Sequence, residues 1–225
     1  MWPRLCSQSG AIDLFLQRKD AFYQNRAMWT ETPMIHLLPH WNMEGHGSEP
    51  IRVWAYTNCP SAELFLNGVS LGMREIEPLG HAEWLVPFER GELRVCGYDA
   101  DGNTVCSDRC VTAGKGERLA LRLENADDLR ANGEDLALYT CFVVDAEGNE
   151  VPTAAPTVSF STNGLGSVVG TGSDISDHVP VQSTVRRMRA GRILVGVRVG
   201  KTAGMLRLYA ESDGLTPTAH EFELT

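Results

Sequence analysis

Two hydrophobic periods divide this chain, one close to helical spacing before Thr32 and one of two residues after it. Ile12, Phe15, Leu16, Phe22 and Tyr23 are interleaved with Asp13, Gln17, Arg18, Lys19, Gln24 and Arg26. That spacing predicts one helix over 19–29, which Pro33 stops. The first ten residues show no period. Beyond Thr32, runs rich in β-branched and aromatic residues predict strands at 51–57, 62–66, 69–73, 81–88, 92–98 and 104–111. Asn67-Gly68 is a hairpin turn signal, because both central residues of a type I′ turn need positive φ.

After Ala113-Gly114-Lys115-Gly116 the pattern begins again, with strands expected at 118–123, 136–144, 157–161, 166–170, 184–188, 193–199, 205–210 and 219–224. The turn Asp145-Ala146-Glu147-Gly148-Asn149 has the style of Asp99-Ala100-Asp101-Gly102-Asn103 in the first half. Short strands at regular intervals in both halves fit two related β-sandwiches of about 80–100 residues each.

The composition fits a chain that buries a core: 43% apolar and 22% charged residues among 225, with 22 Gly and 11 Pro for turns. No apolar run approaches the ~18 residues that span a bilayer, so no membrane partner is expected. A formal charge of −9 argues against nucleic acid, whose binding rests on Lys and Arg neutralising phosphates. The cysteines Cys6, Cys59, Cys96, Cys106, Cys110 and Cys141 follow no zinc-type spacing. Cys96 and Cys106 could face each other across a hairpin, but free thiols are the expectation. Reduced cysteines favour a cytoplasmic protein, with any signal peptide lying upstream.

The strings Asp20-Ala21-Phe22-Tyr23 with Trp29, Pro33-Met34-Ile35-His36, Pro39-His40-Trp41-Asn42 and Glu44-Gly45 resemble the end of the catalytic barrel in family 2 glycoside hydrolases of the β-galactosidase kind, and the start of the following domain. Val53-Trp54-Ala55-Tyr56-Thr57-Asn58-Cys59 and the run Glu63-Leu64-Phe65-Leu66-Asn67-Gly68 continue the likeness, as do Gly97-Tyr98-Asp99 and Thr112-Ala113-Gly114. In the second half, Ala131-Asn132-Gly133-Glu134-Asp135-Leu136 and Gly170-Thr171-Gly172-Ser173-Asp174 are similar to that family's terminal immunoglobulin-like domain. Met43 departs from the Trp common there, and Ile175-Ser176-Asp177-His178 replaces a Pro-containing loop.

The resemblance implies a mainly β chain: a remnant of a (β/α)8 barrel at 1–32, ending in its last helix, then immunoglobulin-like β-sandwiches at 33–113 and 114–225. It implies a parent enzyme that cleaves β-galactosides or related glycosides with retention, for which two carboxyl groups stand about 5–5.5 Å apart. Neither catalytic glutamate motif is present, and a barrel needs ~200 residues or more. The chain alone is therefore expected to be inert, with no catalytic residue, no metal and no cofactor. The expected partner is the missing barrel of the same protein; a glycan and a second copy are the other candidates. An apolar face around Phe15, Leu16, Phe22 and Tyr23, deprived of its barrel, should self-associate, fold back on the first sandwich or lose order.

Candidate site residues are few. His40 and Trp41 either reach the rim of the substrate site, where an aromatic face can stack on a sugar, or wedge the first sandwich against the barrel. Trp54 and Trp84 are further candidates for glycan stacking, although Trp54 lies in an apolar run. Asp174, Asp177 and His178 form a polar loop open to a glycan or calcium reading, set against a plain solvated loop. His36, His40 and His46 with Glu44 lack metal-site spacing. The basic cluster Arg186, Arg187, Arg189 and Arg192 reads as an internal ion-pairing surface. The glycine run 164–170 lacks the strand–turn–helix context of a dinucleotide site.

Overall fold

A computed structural model describes residues 10–13, 15–126, 129–174 and 177–225. Cys6, Ile175 and Ser176 lie outside the described residues. One helix, α1 (Asp20–Trp29), precedes fifteen strands among the described residues: β1 (Ile35–Leu38), β2 (Ile51–Thr57), β3 (Ser61–Leu66), β4 (Val69–Glu75), β5 (Ala82–Val86), β6 (Glu92–Tyr98), β7 (Thr104–Val111), β8 (Arg118–Leu123), β9 (Leu136–Val144), β10 (Thr157–Thr162), β11 (Gly166–Gly172), β12 (Val185–Arg187), β13 (Arg192–Val199), β14 (Gly204–Glu211) and β15 (Thr218–Leu224). The chain is mainly β, in two compact units. The first holds Gln17–Thr112 and the second Ala113–Thr225.

In the first unit, one sheet runs β1-β2-β5 and the other β4-β3-β6-β7, with every pair antiparallel. Alternation explains how the sheets close: β3 buries Ala62, Leu64 and Leu66, and β5 buries Ala82, Trp84 and Val86. These residues share one core with Leu37, Val53, Leu93 and Val95. Asn67 (φ 51°) and Gly68 (φ 81°) turn β3 into β4 with the two positive φ values of a type I′ hairpin. Strand β1 is too short to show in the sequence, with only four residues between Met34 and Pro39, yet it alternates like the others, burying Ile35 and Leu37.

The second unit pairs a β12-β10-β14-β15 sheet with a β11-β13-β9-β8 sheet. Tyr139, Cys141, Ile193, Val195, Leu206 and Leu208 fill its interior at zero exposure. The two acidic turns are built alike. Asp99 N donates to Asn103 O, and Asp145 N to Asn149 O, each at 3.0 Å. Gly102 (φ 83°) and Gly148 (φ 90°) take the left-handed position that each turn requires. Asp145 adds a further contact, accepting the Gly114 amide at 2.7 Å, which fastens the segment entering β8.

The apolar residues that share a helical period before Thr32 do not share one helix. Helix α1 begins at Asp20; Leu16 sits at φ 61°, and an antiparallel bridge joins Ile12 to Arg18. Phe15 belongs with the second unit, its ring over Gly172 where a side chain would collide. Tyr23 instead stacks on His36 of β1 in the first unit, ring centroids 3.6 Å apart at 13°. The helix is therefore folded onto the first unit's three-stranded sheet.

Candidate functional site

Helix α1 buries none of its residues, so polar and ring contacts hold it. His36 lies 3.5 Å from Asp20 on α1 and 3.6 Å from Asp108 on β7. Burial alone would disfavour its charged form, but the two carboxylates outweigh burial and raise the imidazole above its ordinary value of 6.5. At the helix exit, Asn58 Nδ2 donates to the carbonyls of Thr30 and Thr32, both at 2.9 Å, and Asn58 Oδ1 accepts the Met34 amide at 2.9 Å.

Between the last turn of α1 and the β4–β5 loop runs a groove of about 320 Å³, walled by Gln24, Ala27, Met28, Tyr56, Cys59 and Leu79. Its rim is apolar and bare. Of the residues lining it, Leu79 is 77% exposed and Met28 40%; Trp29, the last residue of α1 and outside the groove wall, is 84% exposed. Leu79 also holds a left-handed backbone conformation, φ 64°, with Gly80 N bonded to Glu77 O at 2.8 Å. A branched residue rarely adopts that conformation, and such outliers gather at functional contacts. Single exposed apolar residues are ordinary; Met28 and Leu79 lining one groove, with Trp29 next to Met28 on α1, mark a contact surface.

Trp41 is fully buried in the first unit. Its indole N–H donates to Glu89 O at 2.9 Å, its carbonyl accepts from the Thr112 hydroxyl at 2.8 Å, and its ring packs 5.4 Å from Phe88. His40 lies exposed at the surface; its Nδ1 accepts the Asn42 amide at 3.2 Å, and desolvation by its neighbours lowers its pKa. Trp84 is buried too, while Trp54 stays half-buried, donating to Glu83 Oε2 at 2.6 Å and lying 4.6 Å from the His81 ring.

In the second unit, Asp177 directs its carboxylate to Arg186 Nη1 at 2.8 Å, His178 faces solvent, and Asp174 is partly buried. Arg186 therefore leaves the surface cluster and becomes a buried cation, whereas Arg192 pairs with Glu150 at 2.8 Å. Local sequence shows a run of basic residues but not which one turns inward.

Glu44 pairs with Arg90, and among the described residues no three metal-ligating side chains converge. A glycosidase acid needs a carboxyl whose pKa is pushed up. The described carboxyls with resolved shifts, Asp99, Asp108, Asp135, Asp145 and Asp177, are all held below the ordinary range. At Asp108, Asp145 and Asp177 burial opposes ionisation, and hydrogen-bond donors outweigh it.

Four antiparallel sheets in two compact units define a β-sandwich chain. The family described as glycoside hydrolase family 2 C-terminal domain 5 matches residues 119–221, and a domain of unknown function (DUF4982) matches 48–106. The chain is 33% identical over 219 residues to a β-galactosidase of Bacteroides ovatus, covering 95% of this chain and 25% of that protein. It is 34% identical over 159 residues to a putative β-glucuronidase of Formosa agariphila, covering 69% of this chain and 15% of that one. A β-glycosidase from Bacteroides vulgatus superposes with a TM-score of 0.93 at 29% identity, over 99% of this chain and 29% of that one. The chain belongs to glycoside hydrolase family 2, to its C-terminal region. It spans a quarter or less of the length of these curated relatives.

Proposed function

We propose that this chain is a non-catalytic accessory region of a retaining family 2 glycoside hydrolase acting on β-galactosides or related β-glycosides. In this reading 1–32 end the catalytic (β/α)8 barrel, and two immunoglobulin-like sandwiches, 33–113 and 114–225, buttress it. The supporting observation is the set of exposed apolar side chains at the end of α1, Met28 and Trp29, with Leu79 on the groove that Met28 also lines, on the segment that resembles the barrel's last helix. The barrel is the natural occupant, because relatives carry three quarters or more of their length outside the matched region. Trp29→Asp tests this in two settings. In the isolated chain the change should be neutral, since Trp29 is 84% exposed. In the longer polypeptide it should destabilise by about 1.5–3 kcal/mol, the worth of one large buried apolar side chain. Equal, small effects in both settings would refute the docking. Loss of a dimer of the isolated chain on the same substitution would point to a second copy instead.

A second reading, glycan binding, is favoured only by Trp54, half-buried beside His81 with Glu83 and Arg52 at hand. Trp41 and Trp84 offer no exposed face for it. Saturable binding of a galactoside, abolished by Trp54→Ala, would support that role.

A further inference from the structure

We propose that Cys59 and Cys106 form a redox-sensitive pair that closes to a disulfide, pinning the β2–β3 connection to edge strand β7. Their sulfurs lie 3.4 Å apart, although 47 positions separate them in sequence. Closure needs only a shift to about 2 Å.

Three features hold the two thiols face to face. Cys106 sits on β7 directly opposite Gly97 of β6. The missing side chain of Gly97 leaves the space both sulfurs use: a Cβ there would stand 2.7 Å from Cys106 Sγ and 2.9 Å from Cys59 Sγ. Cys59 is held from its own side. Its amide donates to Thr57 Oγ1 at 3.0 Å, that hydroxyl donates to Met34 O at 2.6 Å, and the following Pro60 accepts the Ile76 amide at 2.9 Å. A thiol fixed on a clamped turn loses little freedom on bonding. Cys96, which a hairpin could have set opposite Cys106, pairs with Ser107, one residue out of register.

The oxidant is a small-molecule disulfide. One protein thiolate attacks a sulfur of the reagent, whose S–S bond breaks and expels one reagent thiolate. The second protein thiolate then attacks the protein-bound sulfur of this mixed disulfide and expels the other half. The two protein thiols lose two electrons and two protons; the reagent gains both and leaves as two thiols. Cys59 is 5% exposed and forms part of the groove wall, which gives the reagent an approach. Burial, then hydrogen bonding to Cys59, pushes the Cys106 thiol up to about 12. Closure is therefore slow at neutral pH and accelerates as pH rises.

The test incubates the intact 225-residue chain with oxidised glutathione, blocks remaining thiols by alkylation, and digests it without reductant for mass spectrometry. The expected product is a Cys59–Cys106 linked peptide, with Cys96, Cys110 and Cys141 alkylated. Cys106→Ser should stop the reaction at a glutathione adduct on Cys59, and Gly97→Ala should lose the linked peptide by forcing the sulfurs apart. A glutathione redox titration of the unaltered chain, independent of any folding defect in the variants, should show one two-electron transition in that peptide. Alkylation of both Cys59 and Cys106 across the whole titration would overturn the proposal, as would separate glutathione adducts on each.

Discussion

The Nη1 atom of Arg186 stands 2.8 Å from Oδ2 of Asp177 in an environment where Arg186 keeps 2% of its side-chain exposure and Asp177 11%. The same guanidinium donates from Nη1 to Val179 O, from Nη2 to Thr171 O and Pro180 O, and from Nε to Thr171 Oγ1. All five of its donors are used. Arg186→Met would strand a nearly buried carboxylate and several carbonyls. It should cost ~3–5 kcal/mol, the usual penalty for breaking a buried pair from one side. Urea denaturation measures the loss, and hydrogen exchange should show the amides of Thr171 and Ser183 losing protection.

The contact between α1 and the first unit should depend on pH through His36. The facing groups are Asp20 and Tyr23 on α1 and Asp108 on β7. His36 titrates above its ordinary 6.5, so its contribution is complete below about that pH and is lost as pH rises through the raised value. Asp108 titrates below its ordinary 3.8; burial opposes this, and His36 with two backbone amides outweighs it. Its contribution is present above about pH 4 and is lost as pH falls through the lowered value. The contact should be strongest between about pH 4 and 6.5. Because Asp20 is 61% exposed, its share should not exceed ~1 kcal/mol. Denaturation midpoints across pH check this, and His36→Gln should flatten the alkaline limb.

Trp41→Ala should destabilise the first unit by ~3–5 kcal/mol, since it empties a fully buried indole site and leaves Glu89 O without its donor. Trp41→Phe should recover part of the loss but not the hydrogen bond. Thermal unfolding of the variants distinguishes this interior role from a rim role, in which stability would barely change.

Strand positions were legible because one face of each sheet is buried, which writes a period of two into runs such as Ala82–Val86. The Asn67-Gly68 hairpin was legible for a local reason, two residues tolerant of positive φ. What failed to show depends on distant partners. The burial of Trp41 rests on Phe88, Glu89 and Thr112, and the inward turn of Arg186 on Thr171, Val179 and Pro180. The meeting of Cys59 and Cys106 rests on the β6–β7 register and on a glycine in a third segment. None of these leaves a periodic trace. Phe15 and Tyr23 mislead in the other direction, because a shared spacing can join residues that fold onto different units.

The central claim is that these residues support bond cleavage carried out elsewhere. It is tested most directly by incubating the purified chain with nitrophenyl β-galactoside and nitrophenyl β-glucuronide and following nitrophenol release. The account predicts a rate equal to that of buffer for both sugars. Saturable release that scales with the concentration of the chain would contradict it.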